Sequence, residues 1–333
     1  MSKVSVLGAG GWGLALSLVA YDNGCEVTVW SPFEAEVSAL LETRESKKLL
    51  PGVKIPGGIS ITTDICAVEG SDITIIATPS HAVRQTAARL RDVKNTGIVV
   101  NVAKGIEYDT LCTLLQVIED ELPDRKTAVL SGPSHAEEVA CGIETSLVAS
   151  SHDRASAEFV QTLMANDKLR IYTNDDVLGV EIGGAFKNII AIAVGICDGM
   201  ELGDNTRAAL MTRGLTEMAR LGTRIGARES TFAGLTGMGD LIVTCTSRHS
   251  RNRRFGEMLG RGISVEKALA DVGTVEGYYA VKAANALQNE YYTDLPIIGL
   301  CYKILYEGLP ATEAVKLLMN RPNRRETDQS WIK

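Results

Sequence analysis

The sequence predicts an α/β fold in which a doubly wound parallel sheet is followed by an all-helical C-terminal domain. Up to residue 172, short apolar runs alternate with helical patterns, as they do in parallel sheets whose strands are joined by helices. From residue 175 onward the apolar spacing is helical throughout. A chain of 333 residues is long enough for two ordinary domains. We therefore predict domains at residues 1–179 and 180–333.

The first predicted strand and the glycine turn after it indicate a dinucleotide-binding site. Residues 4–7 are a short apolar run, and Gly8, Gly10 and Gly13 then lead into a helical pattern. In this GxGxxG spacing the first glycine permits a tight turn, the second lets the backbone approach a pyrophosphate, and the third lets the helix pack on the strand. The phosphates would lie at the helix N-terminus. The N-terminal domain is therefore predicted to be Rossmann-like and to bind NAD or NADP.

Six further apolar runs predict the remaining strands of the sheet. They lie at residues 26–30, 73–77, 98–102, 127–130, 147–149 and 169–172. Helical patterns between them run to residue 90 and over residues 110–122. Ligands of such sheets bind beyond the carboxyl ends of the strands. Lys104 and the turn at residues 132–134 each directly follow a strand, which places both at the predicted binding edge.

The end of the second predicted strand does not decide between NAD and NADP. An acid at this point accepts hydrogen bonds from the ribose hydroxyls, whereas an arginine binds the 2′-phosphate of NADP. The sequence here is WSPFE, in which the acid, Glu34, lies slightly beyond the usual position at the strand end. The nearest arginine, Arg44, is distant. The choice of cofactor stays open at this point.

Residues 180–200 form an apolar segment of helical length in which Lys187 is the only cation. Helical spacing places Lys187 on a face of small and polar residues. The other members of this face are Gly184, Asn188, Ala191, Gly195 and Asp198. Because a glycine inside a helix costs about 1 kcal/mol relative to alanine, the four glycines between residues 183 and 199 suggest a close approach to the backbone. Two interpretations remain open: a tight helix crossing from which Lys187 extends to water, or a functional lysine.

A glycine-rich loop is predicted at residues 234–241, and a basic segment follows it. Four arginines fall within residues 248–254 of a chain whose net charge is −7. The segment is a solvated face or a site that captures a phosphate or carboxylate, for which the planar arginine fork is well shaped. Asn252, Thr244 and Ser250 would add neutral donors. The net charge argues against a general nucleic-acid or anionic-membrane surface.

Cysteine and histidine usage argues against a disulfide framework and a metal site. The seven cysteines are odd in number, scattered and never spaced as CxxC, and the four histidines show no HxH or HExxH spacing. The chain begins MSKVSVLGAG, without the pattern of a secretory signal, and its longest apolar run, residues 189–197, is too short to cross a bilayer. We expect a cytoplasmic protein without membrane insertion, whose polar end at residues 321–333 is a loose tail.

A series of motifs gives the chain a family resemblance. In order, up to residue 289, they are GAGGWG, NVAKGIE, SGPSHAEEVA, VEIGGAFKN, LTGMGDL, SRNRRFG and TVEGYYAV. Together they resemble NAD(P)-dependent glycerol-3-phosphate dehydrogenase, in a spelling closer to the bacterial type. The resemblance implies reversible hydride transfer between NAD(P)H and dihydroxyacetone phosphate giving sn-glycerol 3-phosphate, which supplies glycerophospholipid synthesis. It also implies a homodimer.

The resemblance assigns residues to the site as well. From the glycine turn and the resemblance together, the residues expected to bind the cofactor are Gly8, Gly10, Gly11, Trp12, Gly13, Lys104, Ala136, Arg251, Thr274 and Glu276. Those expected to bind the substrate are Lys104, Gly132, Ser134, Lys187, Asn188, Asp240, Thr244, Ser250, Arg251 and Asn252. In the expected mechanism, Lys187 transfers the proton, Lys104 stabilises the charge that develops on the carbonyl oxygen, and Asp240 orients an ammonium or a substrate hydroxyl.

The sequence departs from the family pattern at two positions, and two other functions stay open. Pro32 stands near where many relatives have a histidine or arginine close to the adenine ribose, and Thr274 replaces a common valine two places before Glu276. A 3-hydroxy acid dehydrogenase would combine the same two domains and a junction lysine with a carboxylate substrate. A nucleotide-sensing regulatory protein would bind the dinucleotide without turnover.

Overall fold

The computed structural model of the chain describes residues 1–323, 325 and 326, and it confirms an α/β domain followed by helices. The strands are β1 Lys3–Leu7, β2 Glu26–Trp30, β3 Ser60–Thr62, β4 Ile73–Ile76, β5 Ile98–Asn101, β6 Thr127–Ser131, β7 Thr145–Ser150 and β8 Leu169–Asn174. They form one sheet in the order β3-β2-β1-β4-β5-β6-β7-β8. All seven predicted strands are present, and β3 is an additional strand at the edge. Most of the predicted tail, residues 324 and 327–333, lies outside the described residues.

Six helices cover the two faces of this sheet. They are α1 Gly11–Asp22, α2 Glu34–Thr43, α3 Val83–Ala88, α4 Leu114–Glu121, α5 Ala136–Ala140 and α6 Arg154–Met164. Helices α1, α2, α5 and α6 pack on one face, and α3 and α4 on the other. Helix α4 begins later than predicted because Thr113 and Gln116 form a capping box, in which each side chain accepts a hydrogen bond from the backbone of the other.

The prediction that the whole sheet is parallel is wrong for its last two strands. Strands β1 to β6 run parallel to one another, but β7 is antiparallel to β6 and parallel to β8. The link from β6 to β7 holds only the five-residue helix α5, about 7.5 Å long, whereas a strand as long as β6 spans about 17 Å. Because so short a helix cannot carry the chain back along the sheet, β7 starts at the edge where β6 ends.

The C-terminal part consists of helices, as predicted. They are α7 Val177–Gly199, α8 Asp204–Arg224, α9 Glu229–Phe232, α10 Asp240–Thr246, α11 Arg251–Gly260, α12 Val265–Val272, α13 Glu276–Glu290, α14 Pro296–Tyr306 and α15 Ala311–Met319. Helix α7 begins three residues before the predicted domain boundary, which stays a prediction. All seven cysteines are free thiols.

The interpretation of residues 234–241 as a loop is wrong, and the basic segment after it is also largely helical. Leu235–Gly239 form a π-helical turn that runs directly into α10. Helix α11 then begins at Arg251, because the Ser250 hydroxyl caps it by accepting a hydrogen bond from Arg253 N at 3.2 Å. The glycines that suggested a loop instead allow close packing. A Cβ at Gly237 would overlap the carbonyl oxygen of Phe232.

The glycines of α7 mark a close helix crossing, as predicted. A Cβ at Gly195 would overlap the carbonyl oxygen of Arg253 in α11, and a Cβ at Gly256 of α11 would overlap the carbonyl oxygen of Ile192 in α7. Each helix therefore uses a glycine to admit the backbone of the other. Since α7 also packs against α8, α10 and α13, it is the central helix of the C-terminal part.

Helix α7, with 23 residues, is long and apolar enough to cross a membrane, but 94% of its most apolar stretch is buried inside the protein. The nine-residue apolar run covers only part of this stretch, because Asn188 and Asp198 border it. The burial is that of a core helix, and the helix buries its apolar side chains against protein on all sides.

Candidate active site

The glycine turn between β1 and α1 has the shape that a dinucleotide requires. Gly8 has a φ of +120°, and a Cβ there would lie 2.8 Å from the carbonyl oxygen of Ala77. A Cβ at Gly13 would overlap the carbonyl oxygen of Gly8, so the helix packs directly on the turn. A Cβ at Gly10, in contrast, would meet nothing within 4 Å. The open side of the turn is thus at the N-terminus of α1, where a pyrophosphate would bind.

Two further residues of the predicted cofactor site lie beside this turn. A Cβ at Gly11 would lie 3.6 Å from the Cβ of Ala136 and 2.7 Å from the carbonyl oxygen of Leu49. Trp12 is half-buried and packs against the core of the sheet domain. The turn is therefore bordered by the segment after α2 on one side and by α5 on another.

Lys187 is buried in the middle of α7, and the interpretation that it extends to water is wrong. Its side chain is 7% exposed. Its Nζ donates hydrogen bonds to Asp240 Oδ1 and, at 2.6 Å, to Thr244 Oγ1. Burial lowers the pKa of this lysine to about 8, against an opposing effect of Asp240 and with a further lowering by Lys104.

Asp240, the first residue of α10, is shared by two lysines. Its second oxygen, Oδ2, accepts a hydrogen bond from Lys104 Nζ at 2.6 Å. Lys104 follows β5 and also donates to the carbonyl oxygen of Gly132, at 2.9 Å. Burial raises the pKa of the Asp240 carboxyl, but the charges of Lys104 and Lys187 outweigh it and hold that pKa below its usual value. Three elements distant in sequence thus meet in one cluster of net charge +1.

The cluster adjoins the glycine turn along the carboxyl edge of the sheet. A Cβ at Gly105, next to Lys104, would lie 2.6 Å from Ser80 Cβ, in the turn after β4. The same turn begins with Ala77, which touches Gly8. Glu276, the first residue of α13, accepts hydrogen bonds from both the backbone N and the Oγ of Ser80. The predicted cofactor residue Glu276 therefore reaches this edge from the helical part.

Asn188 and Asn252 join three helices beside the cluster. The Asn252 side chain donates to Asn188 Oδ1 at 2.9 Å and accepts from Gly277 N at 2.9 Å. Both asparagines are buried. These hydrogen bonds therefore fix α7, α11 and α13 relative to one another, next to Lys187.

The remaining predicted residues are less closely tied to the cluster. Ser134 donates to the carbonyl oxygen of Gly132 at 3.1 Å, the same oxygen that accepts a hydrogen bond from Lys104. Arg251 is exposed at the first position of α11, and Thr274 is half-buried before α13. Within the described part of the chain, no hydrogen bond or ion pair connects these last two residues to Lys187, Lys104 or Asp240.

Only part of the arginine cluster is available for an anion. Arg253 donates from Nε to Asp198 Oδ2 at 2.7 Å, and Arg207 of α8 donates to Asp198 Oδ1 at 2.7 Å. Asp198 lies at the end of α7, so that these pairs fasten α8 and α11 to it. Arg253 is thus structural, while Arg251 is exposed.

The structure brings two residues to the site that the sequence did not indicate. His135 lies 5.8 Å from His249 between ring centroids and beside the backbone of Val243 in α10. Burial, together with the charge of Lys187, lowers the pKa of this histidine. Its position between Ser134 and Ala136 was the only available signal, because the contact with α10 bridges residues distant in sequence.

Glu181, six residues before Lys187 on α7, is the second such residue. Its Oε1 accepts hydrogen bonds from Asn101 Nδ2 at 3.1 Å and Leu115 N at 2.9 Å. Burial raises the pKa of this carboxyl to about 7. Glu181 ties α7 to the end of β5 and the start of α4, and so fixes the lysine-bearing helix on the sheet.

Comparison with known proteins agrees with this geometry over nearly the whole chain. Residues 3–157 match the family described as NAD-dependent glycerol-3-phosphate dehydrogenase N-terminus, and residues 176–316 match the corresponding C-terminus. A Fusobacterium nucleatum protein named glycerol-3-phosphate dehydrogenase [NAD(P)+] is 47% identical, over 99% of this chain and 100% of its own length. A Moorella thermoacetica protein of the same name is 49% identical, over 98% of each chain.

A solved structure extends the likeness to three dimensions. The glycerol-3-phosphate dehydrogenase of Coxiella burnetii is 36% identical, with a TM-score of 0.92, over 96% of this chain and 99% of that one. The match includes both the sheet domain and the helices that carry Lys187 and Asp240. This chain therefore belongs to the NAD-dependent glycerol-3-phosphate dehydrogenase family, whose members are NAD(P)-dependent oxidoreductases that act on a CH–OH group.

Proposed function

We propose that this chain interconverts dihydroxyacetone phosphate and sn-glycerol 3-phosphate, with Lys187 as the group that transfers the proton. The observation that carries the proposal is the buried cluster of Lys187, Asp240 and Lys104 beside the glycine turn. A lysine without such surroundings would be solvated and fully charged at neutral pH. A cluster of net charge +1 in a buried site is suited to a reaction in which negative charge develops on an oxygen.

Bound NADH or NADPH would supply the hydride to the C2 carbonyl carbon. Residues of the chain would stabilise the charge that develops on the carbonyl oxygen and transfer the proton. The glycine turn, Trp12 and Ala136 are proposed to hold the cofactor. Lys187 would donate a proton to the carbonyl oxygen, for which its pKa of about 8 is suitable, since a general acid works best when its pKa is near the working pH. In the reverse direction the neutral lysine would accept that proton.

Lys104 and Asp240 are proposed to control the charge around this proton transfer. Lys104 would stabilise the oxygen electrostatically. Asp240 holds both lysines in place and keeps the pKa of Lys187 from falling further. Thr244, which accepts a hydrogen bond from Lys187 and donates one to the Asp240 carbonyl oxygen at 2.6 Å, would fix the direction of the ammonium.

Arg251 is the proposed ligand of the substrate phosphate. It is exposed at the start of the ten-residue helix α11, where the partial positive charge of the helix N-terminus supports an anion. Ser250 and Asn252 flank it, but their side chains already bond Arg253 N, Asn188 and Gly277. These two residues would therefore shape the phosphate site more than they bind the phosphate.

We also propose the finer points implied by the resemblance. The chain would act as a homodimer in the cytoplasm, without binding nucleic acid or inserting into a membrane, and would supply sn-glycerol 3-phosphate for glycerophospholipid synthesis. Light scattering of the purified protein tests the dimer, because a mass of one chain would contradict it.

An oxidation assay with NADH and NADPH tests the function. We expect turnover with dihydroxyacetone phosphate, and much slower turnover with unphosphorylated dihydroxyacetone and with short 3-oxo acids. Preference for a 3-oxo acid would instead identify a 3-hydroxy acid dehydrogenase. Cofactor binding without turnover of any phosphorylated ketone would identify a sensor and refute the proposal.

A further inference from the structure

The structure places an acid at the end of β2, where the sequence did not locate one. Ser31, the residue after β2, is 1% exposed. Its Oγ donates a hydrogen bond to Oε2 of Glu36 and accepts one from Phe33 N at 3.3 Å. Glu36 belongs to the first turn of α2. Its carboxylate therefore folds back to the strand end, although it stands six residues beyond Trp30 in sequence.

The end of β2 is the point at which Rossmann-like domains distinguish their cofactors. A carboxylate there accepts hydrogen bonds from the hydroxyls of the adenosine ribose, and the same carboxylate repels the 2′-phosphate of NADP. A site for NADP requires a cation, in most cases an arginine with its fork of donors. The identity of the charged groups around Ser31 therefore determines the preference.

The arginines around this strand end are placed for other roles. Arg44 donates to the carbonyl oxygens of Ile59, at 2.9 Å, and Pro56, at 3.4 Å, and so anchors the segment before β3. Arg89 lies over the Trp30 ring, 5.7 Å from its centroid. It follows α3, on the face of the sheet opposite to α2.

Other charges near the ribose position are mixed in sign and exposed. Glu34 adds a second carboxylate in the first turn of α2. Lys47 and Lys48 are exposed in the segment whose Leu49 carbonyl lies against Gly11. Glu34 and Glu36 both lie in the first turn of α2. They therefore offset the partial positive charge of that helix end, which would otherwise favour a 2′-phosphate.

We propose that this chain binds NAD(H) in preference to NADP(H), and that Glu36, held by Ser31, is the residue that discriminates. The inference rests on the proposed dehydrogenase function and adds its cofactor preference. Phe33, which is 67% exposed beside Ser31, offers an aromatic face to the adenine. Glu36 would accept hydrogen bonds from the ribose hydroxyls in place of water.

Equilibrium titrations of the purified protein, with no substrate present, test the preference. The Kd values for NADH and NADPH are measured by calorimetry. We expect NADH to bind at least about tenfold more tightly, the scale of a hydrogen bond to a charged acceptor. Glu36→Gln keeps the shape of the side chain and removes its charge, so it should reduce the ratio of the two Kd values by about tenfold.

Matched variants separate a discriminating role from a general effect of charge. Glu34→Gln removes an exposed carboxylate two residues away and should leave the ratio within about twofold. Ser31→Ala releases Glu36 without changing charge and should reduce the ratio by a smaller factor than Glu36→Gln. Thermal melting of each variant shows that it folds, and a Glu36 variant that does not fold leaves Ser31→Ala to decide.

A second probe uses the adenosine half alone. Adenosine 5′-monophosphate should displace bound NADH more readily than adenosine 2′,5′-bisphosphate, which differs from it only by the 2′-phosphate, and Glu36→Gln should narrow this difference. Equal affinity of the native protein for NADH and NADPH, or equal effects of the Glu34 and Glu36 variants, would overturn the inference while leaving the dehydrogenase function intact. Failure of both dinucleotides to bind would overturn the proposed function as well.

Discussion

The two ends of the proposed substrate site differ in how far burial and contacts within the protein fix their side chains before a substrate binds. At the chemical end, the side chains of Lys187 and Asp240 are 7% and 1% exposed, and two lysines share one carboxylate. At the phosphate end, Arg251 is exposed at the first position of α11. Its side chain makes no hydrogen bond or ion pair with any described residue.

This difference follows from what each end has to do. A lowered lysine pKa needs desolvation that is present before the substrate arrives, because burial is its main cause. Phosphate capture needs a charge that the substrate can reach from water, and its strength comes from the fork of hydrogen bonds made on arrival. We therefore expect changes at the buried end to act on kcat and changes at the exposed end to act on KM.

Removal of the buried lysine should have the largest effect. Lys187→Ala is expected to lower kcat by roughly 10² to 10⁴, the usual scale for loss of a general acid, while the affinity for NADH stays nearly unchanged. Steady-state kinetics and a cofactor titration measure the two quantities. The matched control is Lys126→Ala, which removes an exposed lysine paired with Asp153. Near-normal turnover of the Lys187 variant would refute its role.

The pH dependence of reduction tests the cause of the lowered pKa. Carbonyl reduction needs protonated Lys187, so kcat should fall as the pH rises through about 8. Asp240 raises the pKa of this lysine. Asp240→Asn should therefore move the fall in kcat to lower pH and reduce the maximum by about tenfold or more.

A control for this pH shift is available in the same turn of α10. Thr244→Val removes a hydrogen-bond partner of Lys187 without removing a charge, and should shift the profile less than Asp240→Asn. If kcat of the Asp240→Asn variant falls at the same pH as kcat of the native protein, the carboxylate does not set the pKa of Lys187. Near-UV circular dichroism of both variants checks that the buried site is still packed.

Substitution at the exposed end should have a smaller effect, confined to the phosphorylated substrate. Arg251→Ala is expected to raise KM for dihydroxyacetone phosphate by about 10- to 100-fold, as for a lost charge-assisted hydrogen bond, with little change in kcat. Kinetics with unphosphorylated dihydroxyacetone should be unaffected. Arg248→Ala, which removes another exposed arginine of the same segment, is the control. A fall in kcat with unchanged KM would place Arg251 in the chemistry instead.

The sequence predicted elements with strong local signals and missed those that depend on tertiary contacts. Strand β2 has its predicted bounds, Glu26–Trp30, because turn residues border an apolar run. Strand β3 has three residues, too few for a periodicity. Helix α11 was not recognised because its two glycines and Asn252 have low helix propensity. The contacts that explain it, of Gly256 with α7 and of Arg253 with Asp198, are tertiary.

The site shows the same limit. The spacing in α7 located the face that carries Lys187, but the Lys187–Asp240 contact joins residues 53 apart in sequence, and no local pattern could reveal it. The family resemblance indicated Asp240, although the shared carboxylate required the structure. Glu36 was missed because the rule for the end of β2 counts along the chain, whereas this side chain folds back through space to Ser31.

A substitution in the crossing of α7 and α11, which joins the two ends of the site, is expected to have the smallest effect on activity. Helix α7 carries Lys187 and α11 carries Arg251, so the crossing sets the distance between them. Gly195→Ala would force a methyl group against the carbonyl oxygen of Arg253, and overpacking of this kind costs about 1–3 kcal/mol of unfolding free energy. Denaturant unfolding measures the loss, and Gly57→Ala, whose Cβ would meet nothing within 4 Å, is the control.

Because the strain must move α11 rather than the buried cluster, we expect KM of the Gly195→Ala variant for the phosphorylated substrate to rise a few-fold while the pH profile of kcat stays in place. A shifted pH profile with constant KM would show that the buried end, and not the exposed one, is the adaptable part of the site.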